Sequence, residues 1–175
     1  FTRTVIKKSN GEVIKDSTTL TLEASDYDKR SSKPGEYVYK TTDNLTGVLT
    51  TSTGSNITYD LQGNMLSGIV STVERARDGS FIKDDTSTFS NLTYDLLSHM
   101  TGGTIDIIGK DASGNIIKNE SRVISQSNFD PISGNPGAYT YKATNKITGK
   151  VTTTIGSDII YDLQGNMISG KIHTI

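Results

Sequence analysis

Tyr59-Asp60-Leu61-Gln62-Gly63-Asn64-Met65 returns without a change as Tyr161-Asp162-Leu163-Gln164-Gly165-Asn166-Met167. Seven identical residues so far apart in one chain mark a duplicated unit. The motif also has a local structural meaning. Gly and Asn tolerate the positive φ of a tight hairpin turn, and an Asp ahead of them can accept the turn's backbone N–H bonds. Just upstream, Ile57, Tyr59 and Leu61 alternate with Thr58 and Asp60, and Ile159, Tyr161 and Leu163 repeat the pattern. A period of two is the signature of a β-strand.

Outward from this core the duplication widens. Pro34 to Val73 matches Pro136 to Ile175 without a gap, at roughly 60% identity. Pro34-Gly35-x-Tyr37-x-Tyr39-Lys40 becomes Pro136-Gly137-x-Tyr139-x-Tyr141-Lys142. A shorter copy lies between the two. There Tyr94-Asp95-Leu96 stands for Tyr59-Asp60-Leu61, and Gly79-x-Phe81-Ile82-Lys83 matches Gly11-x-Val13-Ile14-Lys15 and Gly114-x-Ile116-Ile117-Lys118. The short copy lacks the Tyr-x-Tyr-Lys stretch. The chain therefore reads as one all-β domain over 1–175, in long, short and long units of about 1–68, 69–103 and 104–170 with a last strand at 171–175. Each unit closes on a Ser-Gly or Gly-Gly step. Phe1–Val5 and Lys171–Ile175 both stand where Ile69–Val73 stands, at the opening strand of a unit. Two expectations follow: first strand pairs with last, or the segment is cut from a longer array. A start at Phe1 without a signal-peptide pattern fits a removed leader or an excised piece.

Further turn signals sit at Asn10-Gly11, Asp78-Gly79 and Ser113-Gly114-Asn115. The one helical candidate is a single turn at Leu96-Leu97-Ser98-His99-Met100, before Gly102-Gly103. The expected fold is all-β, an antiparallel hairpin meander of roughly twelve to fourteen strands. Its expected form is a closed or partly closed barrel, or a two-sheet sandwich, with approximate internal symmetry. An extended single-layer sheet is the alternative. Only 33% of residues are hydrophobic, which suits a sheet with one dry face and one Thr/Ser/Lys face.

Composition also narrows function. The net charge is −1 and no basic stripe exists, so nucleic acid is a poor partner. No apolar run is long enough to span a bilayer as a helix. Cys is absent, which removes disulfides and thiolate metal sites. His99 and His173 are not repeat-equivalent, so no metal or other cofactor is expected on them. Asp60 with Asp162, or Asp84-Asp85, would suit glycoside hydrolysis, but turn chemistry accounts for the first two. Asp111-Ala112-Ser113-Gly114-Asn115 lacks the closing Glu of a calcium loop. Sequons at Asn44, Asn56, Asn91 and Asn119 are at the chance level for so Ser/Thr-rich a chain. No catalytic residue is assigned.

The tyrosines are the candidate binding residues: Tyr37, Tyr39 and Tyr59, with counterparts Tyr139, Tyr141 and Tyr161. Tyr supplies apolar bulk where Leu and Phe are scarce, or forms a platform for a flat or sugar-like ligand. The partner would be a small molecule, a glycan or a protein. The Tyr-Asp-Leu-Gln-Gly-Asn-Met core resembles the YD repeats of bacterial Rhs-type surface and toxin-shell proteins, though without their spacing near twenty residues. That likeness covers seven residues per copy and implies an extracellular bacterial β structure without catalysis of its own. The leading expectation is thus a non-catalytic, exported or surface-type β domain that binds a partner or serves as a structural module. The alternative is a small β-barrel enzyme or carrier with a Tyr-lined cavity.

Overall fold

The structure is a computed structural model that describes residues 2–9 and 12–175. Eleven strands follow one another: β1 (Thr2–Ser9), β2 (Glu12–Tyr27), β3 (Pro34–Asp43), β4 (Leu49–Tyr59), β5 (Met65–Arg75), β6 (Phe81–Tyr94), β7 (Met100–Lys110), β8 (Ile116–Phe129), β9 (Pro136–Asn145), β10 (Val151–Tyr161) and β11 (Met167–Thr174). They form one antiparallel sheet in the order β1 to β11. Each strand touches only the one before it and the one after it. The expected hairpin meander is therefore present, as a single layer. β1 and β11 lie at opposite edges, so the described residues form neither a closed barrel nor a second sheet. No helix among them is long and apolar enough to cross a membrane.

Strands are fewer and longer than expected because bends inside them are taken up by bulges. β4, β6 and β10 each break register near the upper end, and at each break one residue has positive φ: Asn56 (52°), Asn91 (53°) and Asp158 (54°). Asn and Asp are the side chains that best tolerate this conformation. The extra residue bends the strand without ending it. Leu96–Met100, the helical candidate, is instead a hairpin turn running into β7, with Ser98 at φ 66°. The Asn10-Gly11 turn lies outside the described residues.

Cross-strand partners share a face, so the register sorts the side chains. Tyr37, Tyr39, Val70, Phe89, Ile105, Ile107, Ile124, Tyr139 and Tyr141 fall on one face. The other is rich in Ser and Thr, with pairs such as Ser71–Thr86 at 2.9 Å and Thr58–Ser67 at 2.7 Å. Aliphatic residues occur on both faces, but the four that are buried among the described residues, Ile57, Leu92, Ile107 and Ile159, belong to the aromatic face.

Glycine makes that burial possible in so thin a molecule. The bulges seat Ile57, Leu92 and Ile159 over Gly68, Gly103 and Gly170 of the next strand, where an added Cβ would lie 2.8, 2.4 and 2.9 Å from the covering side chain. The rings of Tyr37 and Tyr139 likewise cover their cross-strand partners Gly54 and Gly156, at 2.2 and 2.3 Å from a Cβ position. The glycine that ends the Ser-Gly or Gly-Gly step closing each unit is therefore the slot for an aliphatic side chain.

β1 differs from its counterparts. Val5 pairs with Ser17, whereas Val73 pairs with Asp84, the counterpart of Asp16. A slip of one residue turns side chains to the opposite face. Val5 accordingly joins the aromatic face and Val73 the hydroxyl face.

Candidate functional site

The six tyrosines lie on one face, in two groups. Tyr37 and Tyr39 on β3 stack at 4.4 Å with rings 17° apart. Tyr59, at the end of β4, donates its hydroxyl to the carbonyl of Pro34 at 2.9 Å. It fills the gap where β3 and β4 diverge above the Tyr37–Gly54 pair. Burial raises the pKa of Tyr37 and of Tyr59, with the neighbouring tyrosines adding to it. Tyr161 repeats the role of Tyr59, bonding the carbonyl of Pro136 at 2.9 Å.

The second group is not a copy in detail. Tyr141 directs its hydroxyl to Glu120 at 3.4 Å, and Arg122 pairs with the same carboxylate. In the first unit Ser17 and Thr19 hold the places of Glu120 and Arg122, and Thr19 bonds Thr41 at 2.9 Å instead. Tyr39 stacks on Tyr37 instead. The two groups are six strands apart, about 29 Å at ~4.8 Å per strand.

Among the described residues the recesses beside these rings are open ones. Behind the Tyr37–Gly54 pair, on the hydroxyl face, an open hollow of about 200 Å³ is lined by Ser25, Val38, Thr53 and Ser55. Behind Tyr139–Gly156 a hollow of about 270 Å³ is lined by Ser127, Thr140, Ile155 and Ser157. Both are shallow recesses of the sheet surface.

The upper hairpins are tied to one another. Lys33 Nζ donates to the Gly63 carbonyl at 2.7 Å, and Asn135 Nδ2 to the Gly165 carbonyl at 3.2 Å. Inside each turn an Asp organises the backbone. Asp60 accepts the N–H groups of Gln62 at 2.9 Å and Asn64 at 2.8 Å, and Asn64 Nδ2 at 2.9 Å. Partial desolvation pushes the Asp60 carboxyl up, but the Asn64 side chain and the turn amides outweigh it and the pKa is lowered. Asp162 is lowered by the Asn166 side chain first and then its amide. These carboxylates are structural and not paired for acid–base work.

Sequence reasoning assigned no binding role to the middle hairpin, reading Leu96–Met100 as a helical turn and His99 as no metal ligand. Here His99 replaces the Asn of the other turns, its Nδ1 2.9 Å from Asp95 Oδ2, and its ring stacks on Phe129 at 4.6 Å. An open pocket of about 310 Å³ is lined by Asp95, Leu97, His99, Gln126, Asn128 and Phe129. Beside it Leu96 is 92% exposed and Leu97 74%. The signal was available: this turn departs from the Leu-Gln-Gly-Asn pattern at three of four positions. Among the described residues no group of three or more His, Asp or Glu is arranged to hold a metal ion. The only hydrogen bond of the His99 ring among them is to Asp95, so no hydroxyl nucleophile is poised on it.

No protein family, curated protein or solved structure matches this chain. The likeness to YD repeats rests on the seven-residue core alone.

Proposed function

We propose that the chain is a non-catalytic β module, exported or surface-displayed, that works as a structural or partner-binding surface. One observation carries this reading: a single-layer sheet that places Tyr37, Tyr39, Phe89, Tyr139 and Tyr141, with Val70, Ile105, Ile107 and Ile124, on one face. A domain normally buries such a face against a second layer. A sandwich formed with a partner across the aromatic face is the finer form of the proposal. Export is supported by the YD-like core and the Ser/Thr-rich hairpins.

The test uses neighbouring positions of opposite facing. Val70→Lys and Phe89→Lys alter the aromatic face, while Ile69→Lys and Thr88→Lys alter the other. Hydrophobic-dye binding and sedimentation of the purified chain are the readouts. The aromatic-face variants should suppress dye binding and association while the other pair leaves both unchanged. Equal effects from the two pairs would remove the reading.

A further inference from the structure

We infer that the hollow between the β6–β7 and β8–β9 hairpins is a binding site for a small organic cation, of the class of an aromatic ring with a short amine arm. The inference goes beyond the reading of the aromatic face and concerns the upper hairpins.

These hairpins stand in a row, with turns at 28–33, 60–64, 95–99, 130–135 and 162–166. Hydrogen bonds bridge three of the four gaps between them. Lys33 reaches Gly63, Tyr94 reaches Met65, and Asn135 reaches Gly165. Among the described residues no hydrogen bond links the 95–99 and 130–135 turns. Their contact is the His99 ring, stacked on Phe129 at 4.6 Å. Here the hollow of about 310 Å³ opens. Both of its walls lie inside the sheet, with strands of this chain on either side.

Both walls also depart from the repeat. Leu97 and His99 stand where Gln62 and Asn64 stand in the first copy. Across the gap, Phe129, Pro131, Ile132 and Asn135 replace Tyr27, Lys29, Arg30 and Lys33. Ser32 becomes Gly134, where an added Cβ would lie 3.3 Å from His99 Nε2, so glycine makes room for the ring. Taken together, these changes give the gap apolar walls and remove three cations.

The carboxylates stay. Residues 95–101 and 126–136 include Asp95 and Asp130 but no Lys or Arg. Desolvation pushes the Asp95 carboxyl up, but the His99 side chain and the turn amides outweigh it and the pKa is lowered. Asp130 is lowered by the Ser133 amide first and then its hydroxyl. Both are therefore ionised at neutral pH. Asp95 lines the hollow, and Asp130 sits between two lining residues, Phe129 and Pro131. Gln126 and Asn128 also line it, and their side-chain amides make no hydrogen bond among the described residues. Their carbonyl oxygens can accept from an ammonium group. An aromatic ring attracts a cation to its face, and a carboxylate nearby adds to the attraction. The volume is at the small end of ligand pockets, about 300–1,000 Å³, which fits one ring and a short arm.

The probe is phenethylamine, titrated at neutral pH into the isotope-labelled full chain and followed by two-dimensional NMR. Saturable shifts are expected at residues 95–101 and 126–131. Phenethyl alcohol, neutral and of the same shape, should bind about fivefold or more weakly. Pro131→Lys puts back the cation of the first hairpin, so it should weaken the amine about fivefold or more and leave the alcohol unchanged. His99→Asn copies the turns of Asn64 and Asn166 and removes the stacked ring, so both ligands should be lost. Circular dichroism melting of each variant checks that the sheet persists. The comparison of amine with alcohol leaves the protein untouched and decides the matter even where a variant fails to fold. Absence of saturable shifts at these residues, or equal affinity for amine and alcohol, would overturn the inference. So would an amine affinity unchanged by Pro131→Lys or by His99→Asn in a folded chain. Failure here leaves the aromatic-face reading standing, because that test alters other residues.

Discussion

Aspartate at the first position of a turn does the same work throughout the sheet. Asp28, Asp43, Asp60, Asp95, Asp111, Asp130 and Asp162 each accept two backbone amides ahead of them. Every one has a pKa below its ordinary value. A carboxyl whose pKa is lowered by folding stabilises the fold above its unfolded value, about 3.9, and that contribution is lost as pH falls through the folded values. The melting temperature should therefore be level above about pH 5 and fall steadily below about pH 4. Asp60→Asn with Asp162→Asn should lower the plateau and flatten the fall. A melting temperature unchanged down to about pH 2 would show that these turns do not depend on charge. The Gln-Gly-Asn turn was legible in the sequence, and Gly63 and Gly165 do have positive φ, at 80° and 81°. Gly68 was legible only as a unit boundary. Its role as a slot depends on the Asn56 bulge, and a bulge leaves no periodic trace in sequence. Gly68→Val should cost about 1–3 kcal/mol by overpacking against Ile57. Less than additive loss in the Ile57→Ala, Gly68→Val double variant, by denaturant titration, would confirm the contact.

At the level of the element, strand pairs that diverge near the upper hairpins are held by a tyrosine hydroxyl. Tyr94 bonds the carbonyl of Met65 at 2.9 Å, as Tyr59 and Tyr161 bond those of Pro34 and Pro136. Tyr94→Phe keeps the ring and removes the bond, so it should cost about 1 kcal/mol. Amide exchange should then rise in the 60–64 and 95–99 turns while the sheet centre keeps its protection. Uniform change across the sheet would argue against a local tie. Strand type and hairpin order could be read from Ile57-Thr58-Tyr59 and its copies, since alternation is a local property. The stretch Leu96–Met100 misled because two adjacent leucines suggest a helix, whereas here both are exposed on a turn. The tyrosines were legible as a set, but their partners were not. Whether Tyr141 stacks or reaches Glu120 is decided by a residue on another strand.

For the whole molecule, contacts only between successive strands make stability a sum of strand pairs, as in repeat arrays. A break in the middle should then divide the sheet and not abolish it. Thr86→Pro in β6 removes a ladder donor between β5 and β7. Two separable unfolding transitions by calorimetry are the expected outcome, and one sharp transition would contradict it. Whether the sheet closes was beyond the sequence, because like strands at the two ends suit a ring and an open array equally. The arrangement also dictates how the molecule answers a mechanical load. A force drawing β1 and β11 apart acts across the sheet, so it opens hydrogen bonds one after another in place of shearing a whole ladder at once. In an optical trap the chain should unzip as a staircase of small, low-force steps. Each freed strand and turn of about sixteen residues would lengthen the tether by roughly 5 nm.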